Sequence, residues 1–170
     1  MRDTLFADKK QELAEKGGDV YAYMDALAEA EPAGSEGLCF LPYPGGESTP
    51  HVDPNARGVF FGLSYRHNLG AMCRSVMEGV TFSLRQVAER IFAMDPDMKP
   101  EKIILSGGGA KSEVWRQMAA DIFGLPVVTI SGSGEGGAYG AALVAGVGLG
   151  LWKDLVEAAG NPVEETRNLP

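Results

Sequence analysis

The sequence predicts an α/β layer architecture, and three observations carry that prediction. Ile103–Leu105 and Val127–Ile130 are short apolar runs bounded by turn residues, as strands are. A helical segment, about Ser112 to Phe123, lies between them, and Gly124 and Pro126 end it. A strand, helix, strand series of this length implies a right-handed crossover and a parallel pair. A chain of 170 residues can bury roughly 70% of the surface that its unfolded form exposes, so one domain needing no disulfide or metal is expected.

The other elements follow in chain order. Asp3–Lys16 places Leu5, Phe6 and Leu13 on one broad face and stops at Gly17-Gly18, which predicts a surface helix. Asp19 can cap a second helix, carrying Val20, Tyr23, Met24 and Leu27, that ends near Pro32 and Gly34. Leu38–Leu41 reads as a short buried strand. Residues Pro42–Gly58 hold four prolines and three glycines, too many for a helix or a central strand, so a long ordered loop is expected before a strand at Val59–Leu63. From Asn68, the apolar positions Leu69, Met72, Val76, Val80, Leu84, Val87 and Ile91 recur every three or four residues, the signature of a long amphipathic helix. Two further helices are expected, at Gly136–Gly146 and Leu151–Ala159.

Composition excludes several classes. The formal charge is −8, from 15 Lys and Arg against 23 Asp and Glu, which counts against nucleic-acid binding. Acidity concentrates at the ends, leaving a nearly balanced middle that can still receive a small anionic ligand. Apolar runs such as Ala141–Val147 are far shorter than a membrane span, and the first residues lack the pattern of a signal peptide. Cys39 and Cys73 belong to no metal-spaced cluster and are expected as reduced thiols. A soluble cytoplasmic protein is the expectation.

The loop Ser106–Ala110 joins the end of a parallel strand to the start of a helix, where ligands bind in open α/β sheets. Glycines there admit close backbone approach, and the helix start presents unpaired N–H groups to an anion. Spacing alone leaves two readings open, a nucleotide loop or a tight packed turn, because neither GxGxxG nor GxxxxGK[ST] is present. The missing third glycine also argues against a dinucleotide-binding domain. For the second set, Gly132, Gly134, Gly136, Gly137 and Gly140, small-residue helix packing is the preferred reading over a ligand loop or hinge. Asp53, two residues beyond His51, is read as a turn former rather than a catalytic partner, and Arg74 with Glu78 as an ion pair across one helical turn.

Four segments, taken together, resemble the C-terminal domain of the FGGY carbohydrate kinases. They are Leu41–Leu63 (LPYPGGESTPHVDPNARGVFFGL), Arg74–Gly79, Leu105–Val127 (LSGGGAKSEVWRQMAADIFGLPV) and Gly134–Ala145 (GEGGAYGAALVA). The GGESTPHVDPNARG stretch is most like the xylulokinase branch, with ribulokinase-like pentulose kinases as the alternative. The resemblance implies an actin-like ATPase, ribonuclease-H-like fold over residues 1–160, with 161–170 as a tail. It implies transfer of the ATP γ-phosphoryl group, with Mg2+, to the 5-hydroxyl of D-xylulose. Gly107, Gly108, Gly109 and Ala110 would then lie against ATP or ADP, and Glu113 near ribose or adenine. The same likeness implies that the catalytic base, the metal ligands and most of the pentulose pocket belong to an N-terminal lobe outside this chain, which alone would be inactive. A contrasting reading is a non-catalytic binding or regulatory module that exposes apolar residues of Pro42–Leu63 and forms a homodimer.

Overall fold

A computed structural model describes residues 1–95, 97–132, 134, 136–160 and 163–170. Within the span expected as one domain, the chain divides into two compact units, Met1–Asp97 and Met98–Pro170.

The first unit is organised around its longest helix. Helices α1 (Ala7–Glu15) and α2 (Val20–Glu29) precede strands β1 (Cys39–Leu41) and β2 (Val59–Phe61), and α3 (Leu69–Met94) follows. Asp19 caps α2 by accepting from the Tyr21 N–H, and Asn68 caps α3 by accepting from the Ala71 N–H, as short polar residues do at helix starts. Helix α3 does not bury the stripe that its periodicity marks. Leu69, Leu84 and Ile91 are exposed, whereas Gly70, Ala71, Cys73, Ser75, Glu78, Gly79 and Thr81 are buried. The reason is close backbone approach. A Cβ on Gly70 would stand 2.7 Å from the Leu27 carbonyl oxygen of α2, and one on Gly79 would stand 2.2 Å from that of Phe40 in β1. Small residues face the neighbours because the elements meet main chain to side face.

Strands β1 and β2 form an antiparallel pair in which the Phe40 and Phe60 rings lie 4.7 Å apart. The expectation of a buried strand at 38–41 is corrected: Leu38 is enclosed, but Cys39 and Leu41 are exposed, because a two-stranded pair leaves alternate side chains uncovered. Between the strands, the long loop is ordered by the Glu47 carboxylate, whose Oε2 accepts from the N–H groups of His51 (2.7 Å) and Val52 (2.9 Å). Asp53 accepts from the Asn55 N–H and so forms the expected turn.

The second unit contains β3 (Ile103–Ile104), α4 (Glu113–Phe123), β4 (Val127–Ile130), α5 (Gly137–Gly148), α6 (Leu155–Ala159) and β5 (Glu164–Asn168). Strands β3 and β4 are parallel, with Ile103 opposite Val127 and Ile104 opposite Val128, as the βαβ reading requires. Ala119, Ala120 and Val127 are fully enclosed, with Ile103 and Leu105 against them. Within the stretch 161–170, expected as a tail, Glu164–Asn168 form β5, which runs antiparallel to β4. Thr129 and Thr166 share a 2.7 Å hydrogen bond across that pair, and Glu164 binds Lys102 and Arg167. A polar alternating segment suits an edge strand with one solvated face, which its mixed composition hid from a hydrophobic reading.

Candidate functional site

Two glycine loops leave the carboxyl ends of β3 and β4. The first is a one-turn 3-10 helix, Gly108–Lys111, entered through Gly107 at φ 81°, ψ −164°, a conformation open essentially to glycine alone. Ser112 then caps α4 by accepting from the Trp115 N–H at 3.1 Å. The second loop ends in Gly136 (φ 51°, ψ −121°), which opens α5. A Cβ placed on Gly136 would lie 3.9 Å from the backbone of Gly107. The loops are therefore neighbours at one edge of the sheet, as loops that follow adjacent parallel strands must be.

The three glycines of the first loop have different physical reasons. Gly107 needs its backbone conformation. Gly109 needs room, since its Cβ would stand 3.2 Å from the Trp115 ring. Gly108 has no positive φ and no atom within 4 Å of the place a Cβ would take, so nothing in the fold demands glycine there. Its bare face opens outward. Ala110 is turned inward: its side chain is buried, its N–H donates to the Gly107 carbonyl, and its carbonyl accepts from Arg116 Nη1 at 2.8 Å. Its place is to fix the loop. Glu113, the first residue of α4, is exposed beside Gly108–Lys111.

Sequence reasoning missed two features. Trp115 is one, and the adjacency of the two glycine sets is the other. The packing role preferred for the second set is not realised at Gly140, which is exposed; the tight positions are Gly132, its Cβ place 2.8 Å from the Tyr139 ring, and Gly146, 2.1 Å from the Trp152 ring. The signal available was topological, since both sets follow strands of one parallel pair. Elsewhere, Arg74 and Glu78 do form the expected pair, and it is a buried one. Among the described residues, no three His, Cys, Asp or Glu side chains converge as metal ligands, and no helix is long and apolar enough to cross a membrane.

Residues 2–149 match the C-terminal domain of the FGGY family of carbohydrate kinases. The chain belongs to that family. Its FGGY domain is 40% identical to the xylulose kinase of Escherichia coli (strain K12) over 145 residues, which are 85% of this chain and 30% of that protein. It is 37% identical to the gluconokinase of Bacillus subtilis (strain 168), again over 85% of this chain, and 28% of that one. Among solved structures, the ligand-bound xylulose kinase from Lactobacillus acidophilus superposes with a TM-score of 0.79 at 37% identity, covering 99% of this chain and 32% of that one. The fold is that of the actin-like FGGY sugar kinases. The chain spans about 30% of the length of the curated relatives it matches.

Proposed function

We propose that this FGGY domain is the nucleotide-side part of an ATP-dependent kinase that transfers the γ-phosphoryl group to the 5-hydroxyl of D-xylulose. The observation that carries the nucleotide assignment is Gly108, whose missing side chain serves no internal purpose and leaves space beside a second glycine loop. In this reading Gly107, Gly108 and Gly109 line the nucleotide, Glu113 faces its ribose or base, and Ala110 holds the loop from behind. ATP supplies the transferable phosphoryl group when bound, and Mg2+ is held mainly by groups outside this chain. The loop contributes positioning, the main lever in phosphoryl transfer. D-Xylulose rests on the GGESTPHVDPNARG stretch and on the xylulose kinases among the relatives; a similar gluconokinase keeps other sugars in play as test substrates. The FGGY domain works in the cytoplasm and is completed by an N-terminal lobe.

Calorimetric titration with ADP tests this, on the chain and on Gly108→Arg, which starts a bulky side chain where no atom lies within 4 Å. Saturable binding lost in the variant supports the reading, and equal behaviour of the two proteins overturns it. No turnover of ATP with D-xylulose is expected from the chain alone, since the base belongs elsewhere.

A second reading has its own observation. Val52, Val59, Phe61 and Leu63 are all exposed, Phe61 at 71%, and such apolar surface marks an interaction face. Were the chain a non-catalytic module, sedimentation would show a concentration-dependent homodimer and calorimetry no nucleotide heat.

A further inference from the structure

The two glycine loops are poor in positive charge. Lys111 is the single Lys or Arg from Ile103 to Trp115, and none occurs from Val127 to Gly150. Arg116, next along α4, is engaged internally, donating to the Ala110 carbonyl at 2.8 Å and to Asn168 Oδ1 at 3.2 Å. Lys111 lies otherwise. It is exposed, its ammonium enters no ion pair among the described residues, and its Cε passes 3.8 Å from the place a Cβ on Gly134 would take. Its stem thus comes up against the second loop.

Resting on the nucleotide reading above, we propose that Lys111 is the phosphate-recognising residue of this site, donating a charge-assisted hydrogen bond to the diphosphate of ADP. Backbone N–H groups cradle an anion through partial charges, and a full positive charge adds to that attraction. An ammonium beside the loop supplies that charge, and its attraction grows with the charge of the ligand. The base and ribose, held by the glycine faces and Glu113, are indifferent to it.

The test compares two ligands on three proteins. Adenosine and metal-free ADP are titrated calorimetrically into the chain, into Lys111→Met, which keeps the stem over Gly134 and removes the charge, and into Lys111→Arg. We expect ADP affinity to fall about tenfold in Lys111→Met and to be restored in Lys111→Arg, with adenosine affinity the same in all three. Equal ADP affinity in the chain and in Lys111→Met, with adenosine still bound, overturns the role of Lys111 and leaves the nucleotide site standing. Parallel losses for both ligands overturn it too, since they mean a structural effect on the loop. If the unmodified chain takes up neither ligand, the nucleotide reading fails, and the proposal with it. Circular dichroism melts of the variants confirm that each is folded.

Discussion

The guanidinium of Arg74 and the carboxylate of Glu78 meet at 2.7 Å one turn apart on α3, with side-chain exposures of only 12% and 7%. Glu78 also accepts from the Gly34 N–H and from Ser35 Oγ, both at 2.9 Å, while Arg74 Nη1 donates to the Glu31 carbonyl. The pair therefore ties α3 to the segment between α2 and β1, where Gly34, Ser35, Glu36 and Gly37 all have positive φ. Two of these are not glycine, and left-handed backbone at such residues persists only where its surroundings impose it.

Removing one partner should therefore cost far more than an exposed pair would. Glu78→Gln keeps shape but leaves the Arg74 guanidinium buried without a counter-charge, and a loss of about 3 kcal/mol in unfolding free energy is expected. Urea denaturation of the variant beside Arg85→Gln, which breaks the exposed Arg85–Glu89 pair, measures the contrast; the latter should change stability by under about 1 kcal/mol.

Gly79 makes a sharper steric prediction. A methyl group there would press on the Phe40 carbonyl, so Gly79→Ala should destabilise by about 3 kcal/mol even though alanine is the better helix former. A melting temperature equal to or above that of the parent would refute the close crossing of α3 and β1.

In the glycine loop the same logic separates neighbours. Gly109→Ala should cost about 1 kcal/mol and shift the Trp115 emission, because the ring must yield. Gly108→Ala, which meets nothing, should be neutral or slightly stabilising through the unfolded chain. Thermal melts followed by tryptophan fluorescence report both.

Acid should weaken α1 before thiols matter. Hydrogen bonds from Lys16 and then Lys9 pull the Glu12 carboxyl from 4.5 down to about 2. A depressed carboxyl binds its proton more readily in the unfolded chain, so its contribution is complete above pH 4.5 and disappears as the pH falls toward 2. The melting-temperature gap between the chain and Glu12→Gln should accordingly be present at pH 7, narrow below pH 4.5, and shrink with added salt.

Burial pushes the Cys73 thiol up to about 11, whereas Cys39 stands exposed on β1. A disulfide reagent at pH 8 should modify Cys39 rapidly and Cys73 only on unfolding, because the thiolate is the nucleophile. Two equally fast thiols would contradict the burial.

Much of this architecture was legible in the chain. Asp19, Asn68 and Ser112 announce their helices because a cap is a local contact between residues two or three apart. The β3–α4–β4 unit is likewise written in short-range pattern, and four motifs in family order identify the FGGY domain. What hydrophobic periodicity could not give is which face of α3 is enclosed. That depends on Leu27 and Phe40 carbonyls arriving from distant segments, and Gly70 and Gly79 carry no hydrophobic signal.

The sequence by itself determined the family, the order of elements and the glycine loop that follows β3, all of which depend on neighbours along the chain. Only the tertiary structure decided that Arg74 and Glu78 are buried, that Gly107 faces Gly136, that Trp115 claims the space beside Gly109 while Gly108 stays open, and that the last residues form an edge strand. These are contacts between residues far apart in sequence or on opposite sides of a turn. Their energies come from burial and steric approach, quantities that exist only once the chain has folded.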